Sequence, residues 1–197
     1  ERTEIILFLF IWANAFEERK EIIFLSSNED NWMIRDIMEI RTATIADLAQ
    51  IAAVEAECFP AAEAATKEEF AERIKYYGNH FWLMFEGEKL IAFVDGFVTD
   101  KSDLTDEMYE RAEMHDENGA WQMIFGVNTI PAYRKHGYAG QLLQCAIEDA
   151  RKQGRKGLVL TCKEKLIAYY AKFGFENEGI SESVHGNVIW YQMRYKF

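Results

Sequence analysis

Seven consecutive residues, Arg134-Lys135-His136-Gly137-Tyr138-Ala139-Gly140, hold the densest chemical information in the chain. Three basic side chains precede a glycine, and a helical pattern begins directly after it: Ala139, Leu142, Leu143, Ala146, Ile147 and Ala150 recur on one face. Upstream, residues 123–129 read as a strand. A glycine-bearing turn between a strand and a helix leaves backbone N–H groups unsatisfied, and the helix dipole favours negative charge there. The chemistry that suits this arrangement is binding of a phosphate or diphosphate. Gly137 and Gly140 would remove the Cβ where such a group must approach the backbone.

The elements that must position this turn follow from pattern and punctuation. Thr44-Ile45-Ala46-Asp47 reads as a helix N-cap with an acid three residues on, and Ile45, Leu48, Ile51 and Ala52 form the apolar face behind it. Thr66-Lys67-Glu68-Glu69 is a second capping box, followed by Phe70, Ile74 and Tyr77 at helical spacing. Residues 80–85 and 90–99 read as strands around the turn Glu86-Gly87-Glu88. A polar, acidic insertion over residues 100–118 carries a short helix near 105–112. A strand at 120–129 then leads into the glycine turn. The long helix stops near Gly154, and residues 157–161 form a compact apolar strand. Leu166, Ile167, Tyr170 and Phe173 mark a further helix, with Gly174 just past its end. Residues 175–180 and 188–195 close the chain as an antiparallel pair around His185-Gly186-Asn187. The order β-α-α-β-β-insertion-β-α-β-α-β-β places the chain in the α+β class with a mixed, mostly antiparallel sheet.

The turn, R-K-H-G-Y-A, resembles the acetyl-CoA pyrophosphate loop, Q/R-x-x-G-x-G/A, of the GNAT family of N-acetyltransferases. Thr129-Ile130-Pro131-Ala132-Tyr133 is similar to that family's lead-in, and Tyr169-Tyr170-Ala171-Lys172-Phe173-Gly174-Phe175 to its late helix-to-strand signature. The resemblance covers residues 38–197. It implies the GNAT fold, a sheet of roughly six or seven strands flanked by about four helices. It implies acetyl-CoA as cosubstrate, with no metal. The backbone of Val127, Asn128 and Thr129 would bind the pantetheine arm and polarise the thioester. The loop Arg134, Lys135, His136, Gly137, Tyr138, Ala139 and Gly140 would hold the pyrophosphate. A tyrosine four residues before the last glycine of the late signature often faces the sulfur in this family, which assigns Tyr170 as the acid that protonates the leaving thiolate.

Within the family the chain resembles the arylalkylamine N-acetyltransferases through Leu90-Ile91-Ala92-Phe93-Val94-Asp95-Gly96, the insertion from Asp100, and residues 169–175. That branch implies a small primary amine as acceptor, with Phe59 and Pro60 in its pocket. Acetyl transfer requires the amine to lose a proton, since an ammonium with a pKa near ~10 cannot attack. The branch carries two histidines on the strand before the loop, and here those positions are Met123 and Phe125, which take no proton. His115, Glu113 and Glu55 are loose candidates for a base reached through water. Two other functions stay open: an N-terminal acetyltransferase of proteins or peptides, and a non-catalytic acyl-CoA-binding module.

The whole chain is consistent with one domain. It has 197 residues, half of them apolar, with a net charge of −11. A strongly acidic protein is poorly suited to non-specific nucleic-acid binding, so no nucleic-acid partner is expected. The cysteines Cys58, Cys145 and Cys162 and the histidines His80, His115, His136 and His185 lack metal-ligand spacing. Scattered, odd-numbered cysteines suit reduced thiols and a cytoplasmic protein. Residues 5–13 are an apolar run of nine, far short of the ~20 needed to span a membrane, so no membrane partner is expected. Ala13-Asn14-Ala15 has the form of a signal-peptidase site, but the residues before the run are net negative. Met38 stands directly before the first strand of the domain. The expectation is that Met38 is the functional start, that 38–197 form the acetyltransferase domain, and that 1–37 are an appended extension. The alternative is a genuine extension whose apolar run packs on the domain or on a second copy in a homodimer.

Overall fold

A computed structural model describes residues 7–11, 19–28 and 31–197, with side chains described from Met38 onward. The motif at residues 13–15 and the packing of the apolar side chains at 5–13 lie outside the described residues. Two short strands, β1 (Leu7–Ile11) and β2 (Arg19–Asn28), precede β3 (Asn31–Thr42), which runs through Met38 rather than starting after it. The helices α1 (Leu48–Cys58) and α2 (Lys67–Tyr77) follow, then β4 (Phe81–Glu86) and β5 (Lys89–Asp95). The insertion contributes β6 (Val98–Thr99) and a one-turn α3 (Glu107–Glu110). Then come β7 (Trp121–Ile124), β8 (Gly126–Thr129), α4 (Tyr138–Lys152) and β9 (Gly157–Cys162). The chain closes with α5 (Ile167–Ala171), β10 (Glu176–Ile180) and β11 (Tyr191–Lys196).

The α+β class and the mostly antiparallel pairing are as expected; the strand count is not. The described strands form two sheets, β1-β2-β3-β4-β5-β8 and β10-β11-β9-β7-β6, with β7 and β9 the one parallel pair among them. The expected strand at 120–129 breaks at Phe125. Its first half pairs with β9 and β6, its second half with β5. The Phe125 N–H still bonds Asp95 O at 2.8 Å, so the break redirects the strand without leaving that donor unpaired. Beyond it, β8 and β9 diverge, and a cleft opens between the two sheets.

Capping and burial explain why the elements stand where they do. The Thr66 hydroxyl accepts from the Glu69 N–H at 3.2 Å, while Glu69 accepts from the Thr66 N–H at 2.6 Å, which starts α2. Of the stripe on α4 predicted from spacing, Leu142, Leu143, Ala146, Ile147 and Ala150 are buried while Ala139 is half-buried, and Trp82 Nε1 donates to Asp149 at 2.8 Å to tie α4 to β4. Leu90 to Asp95 are all buried and β5 contacts both α1 and α4, so helices cover both of its faces.

The insertion is held by a charged clamp. Arg155 Nη1 donates to the Gly119 carbonyl at 2.8 Å and Nη2 to Glu117 at 2.7 Å. His80 Nε2 lies 3.0 Å from the same carboxylate and His115 Nε2 3.4 Å from it. The Val98 N–H donates to His115 Nδ1 at 3.1 Å, which puts that ring's own proton on Nε2, facing Glu117. A proton there leaves no lone pair for a metal ion, although the three groups cluster within 4.8 Å.

Candidate functional site

The space between the splayed strands is a cleft of ≈ 960 Å³. β8 forms one wall. It pairs with β5 on one side only, so alternate N–H and C=O groups on its other edge face the cleft. Val127 and Thr129 line that edge. Asn128, predicted beside them, turns the other way: it is buried, and its Nδ2 donates to Glu55 at 3.0 Å.

At the end of β8 the loop delivers the chain to the start of α4. Gly137 is the N-cap, with φ +85, and Lys135 also has positive φ, +68. An added Cβ at Gly137 meets nothing within 4 Å, so the space in front of the helix N-terminus is open. Arg134, Lys135, Gly137, Tyr138 and Ala139 line the cleft here. Free N–H groups, a helix of 15 residues behind them and two cationic side chains fit a diphosphate. Arg134 is held by its Nε–H, which donates to the Thr129 carbonyl at 3.0 Å.

Two loop residues are placed differently from expectation. His136 points out, with Nδ1 3.2 Å from the Tyr133 carbonyl and its ring stacked on Tyr138. Gly140 is off the lining, and a Cβ there would meet Phe173 at 2.8 Å. Glycine at 140 therefore lets the segment after α5 pack against α4; it does not clear a path for a phosphate.

Tyr170 lies on the opposite wall, with Cys162 and Leu160 of β9. It is 6% exposed, and its ring packs edge-on against Tyr169 at 5.2 Å and Phe175 at 6.1 Å. Burial first, then the neighbouring Cys162, Tyr169 and Tyr109, push the phenol well above its ordinary pKa, so it stays protonated at neutral pH.

The far end of the cleft is aromatic and acidic. Phe59 and Pro60 line the cleft as well. Tyr109 stacks on His185 with centroids 5.6 Å apart and the rings 9° from parallel, and Phe125 sits 4.7 Å from Tyr109. His185 Nε2 lies 3.1 Å from the Glu63 carbonyl, and the Trp190 indole donates to the His185 carbonyl at 2.8 Å. Glu69, Asp106 and Glu110 also border this end.

The structure separates the three candidate bases. Glu113 is exposed and bonded to Arg111 at 2.9 Å, and His115 belongs to the clamp; neither lines the cleft. Glu55 does line it and is buried. Near Glu55 lie two charges that sequence reasoning passed over, Arg73, which also lines the cleft, and the buried Asp95, with Arg73 Nη1 donating to Asp95 at 3.3 Å. The signal was present. Glu55 shares a stripe with Ile51, Val54 and Cys58, Arg73 sits among Phe70, Ile74 and Tyr77, and Asp95 ends an apolar run. A charged residue at an apolar position of a periodic pattern marks a buried, partnered group. Of the positions occupied by histidines in the arylalkylamine branch, Met123 is fully buried and Phe125 lines the cleft.

Comparison with known proteins agrees with this fold. The sequence profile of the "Acetyltransferase (GNAT) family" matches residues 48–175. Serotonin N-acetyltransferase of Mesocricetus auratus is 26% identical over 111 residues, which are 56% of this chain and 52% of that protein; the chain thus spans about half the length of the curated relative it matches. Among solved structures, the loading GNATL domain of CurA from Lyngbya majuscula superposes with a TM-score of 0.71 at 16% identity, covering 81% of this chain and 97% of that one. The ribosomal-protein-S18-alanine N-acetyltransferase from Escherichia coli gives 0.60 at 18% identity, covering 81% and 93%.

Proposed function

The chain belongs to the GNAT acetyltransferase family, and from that membership we propose that it moves an acetyl group from acetyl-CoA to a small primary amine by direct attack in a ternary complex. One observation carries this reading. A single cleft has an anion-binding helix N-terminus at one end, an aromatic and acidic pocket at the other, and an open strand edge between them. The loop Arg134–Ala139 holds the diphosphate, and the free edge of β8 binds the pantetheine arm and polarises the thioester carbonyl. Tyr170 donates its phenolic proton to the departing sulfur. Phe59, Pro60 and the Tyr109–His185 stack receive the amine, and the carboxylates bordering that end suit a group that arrives as a cation.

The decisive test is CoA release across a panel of arylalkylamines, polyamines and peptides with free N-termini. Turnover confined to small amines is the expected result. Turnover confined to peptides would replace the acceptor class. Ile180, Val184 and Ile189 favour that second reading, being 69%, 73% and 62% exposed in the segment next to His185 and Trp190. Tight acetyl-CoA binding with no turnover of any amine would make the protein a non-catalytic acyl-CoA module.

The proposal extends to organisation and location. Residues 38–197 act as the acetyltransferase domain, and a chain beginning at Met38 is expected to bind acetyl-CoA and to melt within a few degrees of the full chain. Support comes from β4, which pairs with β3 from Met38 to Thr42 independently of β2. Loss of cooperative unfolding in thermal denaturation would show that β2 is needed. The three free cysteines suit the reducing cytoplasm. No described helix is long and apolar enough to cross a membrane.

A further inference from the structure

We infer that Glu55 accepts the proton of the attacking amine, and that Asp95 keeps it basic enough to do so by engaging the neighbouring buried guanidinium of Arg73, which would otherwise neutralise it. The inference rests on the acetyltransferase reading and supplies the base that Met123 and Phe125 cannot.

Geometry comes first. Glu55 is 6% exposed, and what exposure it has opens into the cleft. The Ala65 N–H donates to Oε1 at 3.1 Å and Asn128 Nδ2 to Oε2 at 3.0 Å. An ionised carboxylate has about four acceptor positions, so these bonds fix its orientation and leave others free for an amine or a bridging water. Asn128 sits on β8, the strand whose outer edge would carry the thioester. The base is therefore anchored to the element that holds the electrophile.

The charges around Glu55 come from every element packed on it. From α2, Arg73 directs Nη1 to Asp95 at 3.3 Å and Nη2 to the Tyr109 carbonyl at 3.0 Å, so neither bond goes to Glu55. From β5, Asp95 is buried to 1% exposure, and Gly126 leaves room for it; a Cβ there would lie 2.5 Å from Asp95 Oδ1. From α1 itself, Cys58 lies close enough to feel the Glu55 charge. Two buried carboxylates thus face one guanidinium, and its hydrogen bond belongs to Asp95. Burial chiefly, and then the Asp95 charge, raise the Glu55 pKa to about 7, while the hydrogen bonds from Ala65 and Asn128 and the Arg73 charge pull the other way. Burial also raises Asp95, to about 6, against the attraction of Arg73. A carboxylate at about 7 holds a proton more than a hundredfold more tightly than an ordinary glutamate.

The step balances. An amine that arrives as a cation first gives one proton through Glu55 to solvent; the neutral nitrogen then attacks the acetyl carbon, an N–C bond forms and the C–S bond breaks. The N–H proton passes to Glu55, directly or through one water, and the sulfur takes the phenolic proton of Tyr170. Solvent then removes the proton from Glu55 and returns one to Tyr170, leaving the amide and free CoA.

The test is the pH dependence of kcat/KM in the full chain. The carboxylate is the active form, so activity should fall as pH drops through about 7. Glu55→Gln should lower kcat by ~10²-fold or more and remove that limb, with acetyl-CoA affinity unchanged. Asp95→Asn removes a negative charge and frees Arg73 to act on Glu55; both effects lower the Glu55 pKa, so the limb should move to lower pH. Because Asp95→Asn could also fail to fold, 13C NMR of glutamate-labelled wild-type protein gives a second reading. One carboxyl should titrate near pH 7, and its signal should be missing in Glu55→Gln. Wild-type kcat and an unchanged limb in Glu55→Gln, or a Glu55 carboxyl titrating at the ordinary ~4.3, would overturn this inference alone. No turnover with any amine would overturn it together with the acetyltransferase reading.

Discussion

Gly137→Glu is expected to abolish acetyl-CoA binding while the fold survives. Three effects act in the same direction at this residue. The backbone stands at φ +85, a left-handed conformation that costs a residue with a Cβ about 1–2 kcal/mol. The new side chain fills the open space in front of the α4 N-terminus. Its carboxylate also takes the position the helix dipole offers to the diphosphate, and repels it. Losing two or three charge-assisted hydrogen bonds, each worth about 1.5–3 kcal/mol, should lower affinity by ~10³-fold or more. Isothermal calorimetry with acetyl-CoA reads this directly. Gly137→Ala carries the backbone strain without the charge and should weaken binding far less. Wild-type affinity in a folded Gly137→Glu variant would remove the loop from the binding site.

Tyr170→Phe should leave the fold and acetyl-CoA affinity intact and reduce kcat by ~10²-fold. The ring contacts to Tyr169 and Phe175 are made by the aromatic face and edge, which phenylalanine keeps. Only the hydroxyl is removed. The loss should persist through the neutral range, since burial holds the phenol protonated there. Single-turnover CoA release compared with equilibrium binding separates the chemical step from affinity. A kcat equal to wild type across the pH range would reduce Tyr170 to a core aromatic, and the acid would have to be sought elsewhere on the cleft wall.

The pairing of these two residues with Glu55 divides the work of the cleft. In the proposed reaction the loop would position the cosubstrate, and Tyr170 and Glu55, which both line the cleft, would handle opposite proton transfers. Their environments differ in the way this requires. Tyr170 is buried among aromatics and a thiol that keep it neutral. Glu55 is buried beside a second carboxylate that raises its proton affinity without removing its access to the cleft.

Local patterns were enough for most of the elements. The capping boxes at Thr44 and Thr66, the apolar stripe from Ala139 to Ala150 and the strand–glycine–helix turn are short-range features, and each appears in the structure where spacing placed it. Their physics is local: a cap satisfies N–H groups two or three residues away, and a stripe needs only the helical period. The break at Phe125 was invisible, because residues 120–129 form one continuous β-favouring run. It arises from two different partners, β9 for the first half and β5 for the second, that no local pattern records. The role of Gly140 was misread for the same reason, since the atom that forbids a Cβ belongs to Phe173, 33 positions away.

The sequence by itself determined the α+β class and the strand–glycine–helix turn, since each is written in spacing along one segment, while Tyr170, Phe59 and Pro60, which line the cleft, were assigned by resemblance to the family. Only the tertiary structure decided which charged groups meet beside the cleft. Glu55, Arg73 and Asp95 come from α1, α2 and β5, and the burial and mutual charge that shift Glu55 exist only once those elements are packed together. A proton affinity belongs to an environment assembled from distant parts of the chain, and no run of adjacent residues contains it.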